Sequence, residues 1–322
     1  MIGKYKIEIY NNRVHFRLEV KRNITIIQGY SGTGKTTLIR LLAAYQRLGD
    51  GSGVVLKCEK PCVLLNVVDW RHQLETSKGN IIFTDENVPF IKTKEFAEAV
   101  NHSDNYFVII YRDSLPQLSY SIAEIYGIRV DRESQKYAVT KRVYNTMYNI
   151  YNVAVGEVVK PDVVVTEDSN SGNDFFKAAF SCSCVSAGGK SLVVEKVEDN
   201  ASDDRLILAI VDGAAFGSDM ARFMHIVHSR GLRCTLFAPE SFEYLVLKSG
   251  ILDVPREWTE ETYMFADSSK WVSWERFFTE QLVSVTRDTM YQYAKSKLNP
   301  VYLTAGNLKK IKSTLPETIK VE

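Results

Sequence analysis

Several absences narrow this sequence before any motif is read. Its five cysteines (Cys58, Cys62, Cys182, Cys184 and Cys234) make an odd number with no paired C-x-x-C spacing. Neither a disulfide framework nor a structural zinc site is indicated, and the thiols read as buried or idle. No apolar run approaches the length of a membrane span, and the opening MIGKYKIEIYNN alternates like a strand where a secretory leader would carry a continuous apolar core. A cytoplasmic protein without membrane contact is expected. No charge of one sign dominates: the formal net charge of +1 argues against a protein-wide basic surface for nucleic acid, while leaving room for a local patch. Internal repeats and low-complexity segments are also missing. What remains, over 322 residues, is the apolar and charged balance of an ordinary globular chain long enough for two domains.

The stretch Ile24 to Leu42, ITIIQGYSGTGKTTLIRLL, carries the clearest chemistry. Gly29-Tyr30-Ser31-Gly32-Thr33-Gly34-Lys35-Thr36 fits G-x-x-x-x-G-K-[ST], with an apolar strand pattern before it and a helical pattern after it. The glycines let successive amides turn toward one anion, and a helix opening near Gly34 adds the positive end of its dipole. ATP is the expected ligand of Gly29, Ser31, Gly32, Thr33, Gly34, Lys35 and Thr36, with Lys35 at the β and γ phosphates and the Thr36 hydroxyl on magnesium. Thr37, at the end of the same loop, is grouped with these ATP-binding residues, with packing or capping as its other reading.

Lys4 to Tyr10 and Val14 to Val20 alternate around Asn11-Asn12 and predict a hairpin. Leu38, Ile39, Leu41, Leu42 and Tyr45 predict a helix ending at Gly49. Cys62 to Val68 predicts a strand buried on both faces, with Asp69 capping a short helix through Glu75. Asn80 to Glu86, NIIFTDE, places two acids at the end of an apolar strand, roughly fifty residues after Lys35. There Asp85 is expected to hold magnesium and Glu86 to polarise an attacking water. Lys94 to Val100 predicts a helix. Tyr106 to Tyr111 predicts a strand whose following Arg112 either senses a γ phosphate or pairs with Asp113 at the surface. Ile125 to Val130 and Tyr137 to Tyr144 predict closing strands.

The hairpin, the loop and IIFTDE together resemble ABC-type and related recombination and defence ATPases over about the first 130 residues. No counterpart of L-S-G-G-Q lies between the two motifs, so the resemblance is to the broader group of P-loop ATPases with a catalytic glutamate.

From Pro161 a second αβ pattern follows: Val163-Val164-Val165-Thr166-Glu167, a helix from Asn173 to Phe180, a strand at Val193 to Val197, Leu206 to Val211 ending at Asp212-Gly213, a helix from Arg222 to Arg230, and Cys234 to Ala238. His225 and His228 have ligand spacing but no third ligand, and Gly189-Lys190-Ser191 reads as a turn. The order of apolar strand with Glu167, then Gly188-Gly189, then apolar strand with Asp212-Gly213 resembles the topoisomerase-primase (TOPRIM) domain, as joined to P-loop ATPases in overcoming-lysogenization-defect nucleases. That resemblance implies magnesium on Glu167 and Asp212. Ala214 stands where the family has a second aspartate; Asp168, Asp174 and Asp219 are the acids available to substitute.

Trp271 to Leu298 predicts an amphipathic helical extension stopped by Asn299-Pro300. The expected architecture is therefore α/β: a P-loop NTPase parallel sheet over 1–155, a smaller TOPRIM-like domain over 156–250, and a helical C-terminal extension over 251–322. The expected activity is magnesium-dependent ATP hydrolysis with Lys35 and Glu86 as catalytic residues, coupled to the second domain in a DNA-linked or defence process. The alternatives are an ATP-gated interaction switch with a degenerate second domain, or an ATP-regulated nuclease. ATP, a homo-oligomer partner, and a protein partner or DNA are the partners to test.

Overall fold

Alternating apolar residues build the first two strands. β1 (Tyr5–Tyr10) buries Ile7 and Ile9, and β2 (Val14–Val20) buries Phe16, Leu18 and Val20. They pair antiparallel across a turn where the Asn11 carbonyl side chain accepts from the amides of Arg13 and Val14. This computed structural model describes residues 1–29, 32–131 and 142–321. β3 (Ile24–Ile27) is buried throughout, and α1 (Lys35–Leu48) lays Leu38, Ile39, Leu41 and Leu42 into the core before stopping at Gly49. There follow β4 (Val55–Lys57), β5 (Cys62–Leu64), α2 (Trp70–Thr76), β6 (Ile81–Thr84), α3 (Lys94–Asn101), β7 (Tyr106–Ile110), β8 (Ile125–Val130) and β9 (Val143–Asn149).

These strands form one nine-stranded sheet in the order β4-β1-β2-β9-β8-β3-β7-β6-β5. β8, β3, β7, β6 and β5 are mutually parallel, and the remaining strands extend the sheet through antiparallel and parallel pairs. The parallel register sets Ile27 opposite Ile110, and Ile109 opposite Thr84. Residues leaving β3, β7 and β6 therefore emerge at one rim, the carboxyl end where ligand crevices form in open α/β sheets. β4 and β5 are the two edges of this sheet, yet only residues 58–61 join them. The sheet consequently curls around α1, whose buried face shares one core with β1, β2, β6 and β7.

The later residues build a separate sheet. β10 (Val163–Thr166), α4 (Ser171–Ala179), β11 (Ser183–Ser186), α5 (Val193–Asn200), β12 (Ile207–Ile210), α6 (Gly217–Ser229) and β13 (Cys234–Phe237) give four parallel strands in the order β11-β10-β12-β13. α7 (Phe242–Lys248), α8 (Glu257–Glu260), α9 (Trp274–Thr286) and α10 (Ala305–Lys312) follow. Phe242 of α7 packs on Phe175 and Phe176 of α4, with ring centroids 5.2 and 6.1 Å apart. The chain divides into two compact units, Met1–Tyr151 with Tyr263–Val272, and Asn152–Thr262 with Ser273–Glu322. The residues after 250 are thus shared between the units. Among the described residues, no helix is long and apolar enough to cross a membrane.

Several expectations need correction. The strand expected from Cys62 to Val68 is the three-residue β5, half-buried because it is a sheet edge, and Val67 and Val68 are exposed. Asp69 precedes α2 without a side-chain capping bond. Val193 to Val197 is the start of α5: Val193, Val194 and Val197 bury one helical face, so tertiary packing overrides the β preference of valine, and the strand is β11 instead. α6 begins at Gly217, before the expected Arg222. The long C-terminal helix ends at Thr286, where Asp288 turns the backbone to a φ of 58°, and Asn299-Pro300 opens a 3-10 turn. The Tyr137 to Tyr144 expectation falls largely outside the described residues; β9 runs from Val143.

Candidate functional site

At the rim of the first unit, the loop after β3 is bent by Gly29, Gly32 and Gly34, whose φ angles are 127°, 89° and 93°. Gly34 is doubly constrained: it starts α1 in the left-handed region, and a Cβ there would lie 3.3 Å from the Phe16 ring of β2. Lys35 opens α1 but its side chain folds back over the loop, with Nζ donating to the Gly29 carbonyl oxygen at 2.5 Å and to Thr33 Oγ1 at 3.1 Å. Burial holds the Lys35 pKa below that of an ordinary lysine, with Glu86 opposing the shift and Arg112 adding to it. Thr36 is exposed on the first turn of α1. Thr37 is exposed as well, so it neither packs nor caps. Ser31 lies outside the described residues.

β6 delivers the two acids to the same rim. Asp85 Oδ1 accepts from the Glu86 amide at 2.7 Å, which fixes the turn that aims the Glu86 side chain. Both Glu86 oxygens are bound by Arg112, Nε to Oε2 and Nη2 to Oε1, each at 2.9 Å. Arg112 therefore pairs with Glu86, and the expected Arg112–Asp113 surface pair is corrected. The strand register explains it, because β7 lies between β3 and β6 and its first residues beyond the strand reach sideways to the acid. Hydrogen bonding from Arg112 holds the Glu86 pKa below the usual carboxylate range, and the Lys35 charge lowers it further. Lys35, Glu86 and Arg112 thus act on one another at one place.

In the second unit, Thr166 lies opposite Ile210, so the residues after β10 and β12 meet. The Asp212 amide donates to Glu167 Oε2 at 3.0 Å, and the Glu167 amide donates to the Ile210 carbonyl at 3.0 Å. Gly213 has no room for a side chain, since a Cβ would sit 2.6 Å from the Ala238 carbonyl oxygen. Four further residues meet here without any local sequence signal. Glu243 of α7 accepts from the Tyr293 hydroxyl at 2.8 Å, and Lys295 pairs with Glu275 of α9. Glu243 comes from a helix read only as residues after a strand, and Tyr293 and Lys295 from residues read as continuous helix.

Electrostatics in this cleft run opposite to those of the first unit. Burial pushes Glu167 up to about 7, with help from the charges of Glu275 and Asp168. Burial also raises Asp212 well above the carboxylate range, with Glu275, Glu167 and Glu243 adding to it and Lys295 opposing. Burial alone would lower the Lys295 pKa, but Glu275, Glu243 and Asp212 outweigh it and raise the net value. Magnesium fits this set poorly. Ala214 is buried where a second aspartate would be needed. Asp168 binds the amide and side chain of Asn170, Asp174 accepts from the Leu298 amide, and Asp219 accepts from the Ser218 hydroxyl. Among the described residues, no three His, Cys, Asp or Glu side chains form a group able to hold a metal ion, His225 and His228 included. No family model matches the chain, and no curated protein is significantly similar to it.

Proposed function

We propose that the first unit binds ATP with magnesium and hydrolyses it. The observation that carries this reading is the meeting, at one sheet rim, of the glycine-bent loop with its folded-back Lys35 and the Glu86 carboxylate delivered from two strands away. The loop amides and the start of α1 suit a polyphosphate. Lys35 exchanges neutral oxygen acceptors for phosphate oxygens, which bind an ammonium more strongly. Thr36 and Asp85 are hard oxygen donors of the kind magnesium takes when phosphates supply the rest of its shell, and magnesium would neutralise charge on the transferring phosphate. Glu86, kept ionised by Arg112, is the base that orients water and takes its proton. The resemblance to P-loop ATPases with a catalytic glutamate, followed by a TOPRIM-like unit, supports the same reading. The test is calorimetry with ATP and magnesium: Lys35→Ala should lose binding, and an unchanged affinity would sink the assignment.

A second reading is favoured by the Arg112–Glu86 pair. Each Glu86 carboxylate oxygen accepts a guanidinium N–H, so Arg112 restrains the side chain in a way that a bound nucleotide could release, as in a nucleotide-gated switch. In that case ATP binds tightly but turns over negligibly until DNA or a protein partner is added. Steady-state hydrolysis at rates independent of added DNA and of host lysate would count against the switch.

A further inference from the structure

In the second unit, Lys295 pairs with Glu275 and lines one cleft with Glu167, Asp212 and Glu243, while Lys190 also acts on Glu167. Lys295 is held in place by its backbone. Its carbonyl accepts from the Ser171 amide at 3.0 Å, the neighbouring Ala294 carbonyl accepts from Ser171 Oγ at 2.7 Å, and the Leu298 amide donates to Asp174 at 3.2 Å. The segment is thus tied to the start of α4 on both sides of the lysine, so the ammonium arrives at the mouth of the cleft already positioned. There it pairs with Glu275 while Glu167, Asp212, Glu243 and Tyr293 line the same cleft.

The other acids are engaged too. Glu167 accepts the Asp212 amide, and Glu243 accepts the Tyr293 hydroxyl. Magnesium demands near-octahedral oxygen ligands at about 2.0–2.1 Å and usually keeps several waters, whereas these acids already hold Lys295, the Asp212 amide and the Tyr293 hydroxyl. An ammonium needs neither, since it is a compact charge with three donors on a flexible stem.

We infer that the Lys295 ammonium is the resident cation of this cleft, standing in for the divalent ion that the TOPRIM resemblance implies, so that the second unit keeps its acids together without taking magnesium. This concerns the second unit alone and is independent of the ATP reading of the first. It makes the cleft a pre-neutralised binding or structural element and removes the metal on which phosphodiester cleavage would depend.

The test is manganese binding to the full chain without nucleotide, followed by electron paramagnetic resonance. Wild type should show no manganese site that Glu167→Gln removes. Lys295→Met, which keeps the stem and removes the charge, should gain one manganese site, and Glu167→Gln added to it should weaken that site by at least about tenfold, or about 1.4 kcal/mol. A Glu167-dependent site in wild type overturns the inference, as does a folded Lys295→Met that binds no manganese. Should Lys295→Met fail to fold, wild type still decides through acylation of Lys295 by an amine-reactive ester, read by mass spectrometry. A rate unaffected by manganese supports the resident lysine; a marked acceleration by manganese means the metal displaces it and overturns the inference.

Discussion

Both units end parallel strands with acids at the carboxyl rim, yet the two rims are opposite in character. In the first, one latched carboxylate, Glu86, faces two cations, Lys35 and Arg112. In the second, Asp212, Glu243 and Glu275 face Lys295, and Glu167 faces Lys190. Burial at the first rim works against a lysine, and burial at the second works against acids. Strand-end acids are thus an ordinary product of parallel sheets, and their chemistry is decided by which counter-charge another segment delivers. β7 brings Arg112 to Glu86 from the adjacent strand, while Lys295 comes from a segment beyond the sheet and pairs with Glu275, 20 residues before it in the chain.

The contrast can be broken most severely at the base. Glu86→Gln keeps the side-chain shape and removes the proton acceptor, so ATP binding should persist while kcat falls about 10²–10⁴-fold; normal turnover in single-turnover kinetics would move catalysis away from β6. Exchanging the two lysines sharpens the comparison next. Lys35→Ala should weaken ATP binding by about 3 kcal/mol, roughly a hundredfold, whereas Lys295→Ala should leave it within about twofold. Calorimetry on both variants checks this, and equal losses would mean the two clefts are not distinct. Smaller still is the latch. An exposed Arg–Glu pair is weak, so Arg112→Ala should raise basal kcat only modestly if the arginine restrains Glu86. A fall in kcat at unchanged KM would make Arg112 a sensor of the γ phosphate instead.

How much of this was legible follows from where the information resides. The loop, Lys35, the acids at Asp85, Glu86, Glu167 and Asp212, and most strands were readable because each depends on a short run of residues with its own periodicity. The ends of elements were less so: α5 carries valines that a propensity reading assigns to a strand, and β5 is short because an edge leaves one side unpaired. The counter-charges were not legible at all. Arg112 stands beside Asp113 in sequence but beside Glu86 in space, and nothing local to Lys295 announces Glu275, Asp212 or Glu243. Pairings of that kind are set by register and by the return of distant segments, which single-sequence patterns do not contain.

The smallest prediction carries the same contrast into the thiols. Cys58 and Cys62 flank the short link that joins the two edges of the first sheet, and the Cys62 thiol, which donates to the Lys60 carbonyl at 3.8 Å, is placed to donate to a Cys58 thiolate as well. That bond stabilises the Cys58 thiolate and lowers its pKa to about 7, against the opposing effect of burial, while the proton remaining on the pair is held more tightly at Cys62. In the second unit, burial pushes both Cys184 and Cys234 up to about 12. A thiol with a pKa near 7 is about half thiolate at neutral pH, against about one part in a hundred for a thiol near 9, and thiolate is the reactive form. Alkylation at Cys58 should therefore rise with pH through a midpoint of about 7 and then level, while Cys184 and Cys234 stay unmodified over the same range, as peptide mass spectrometry after iodoacetamide would show. Cys62→Ser weakens the donor, so the Cys58 midpoint should move upward toward about 8.5, the value of an isolated thiol. A wild-type midpoint already at that value would remove the thiol pair from the contrast and leave the charged rims to carry it alone.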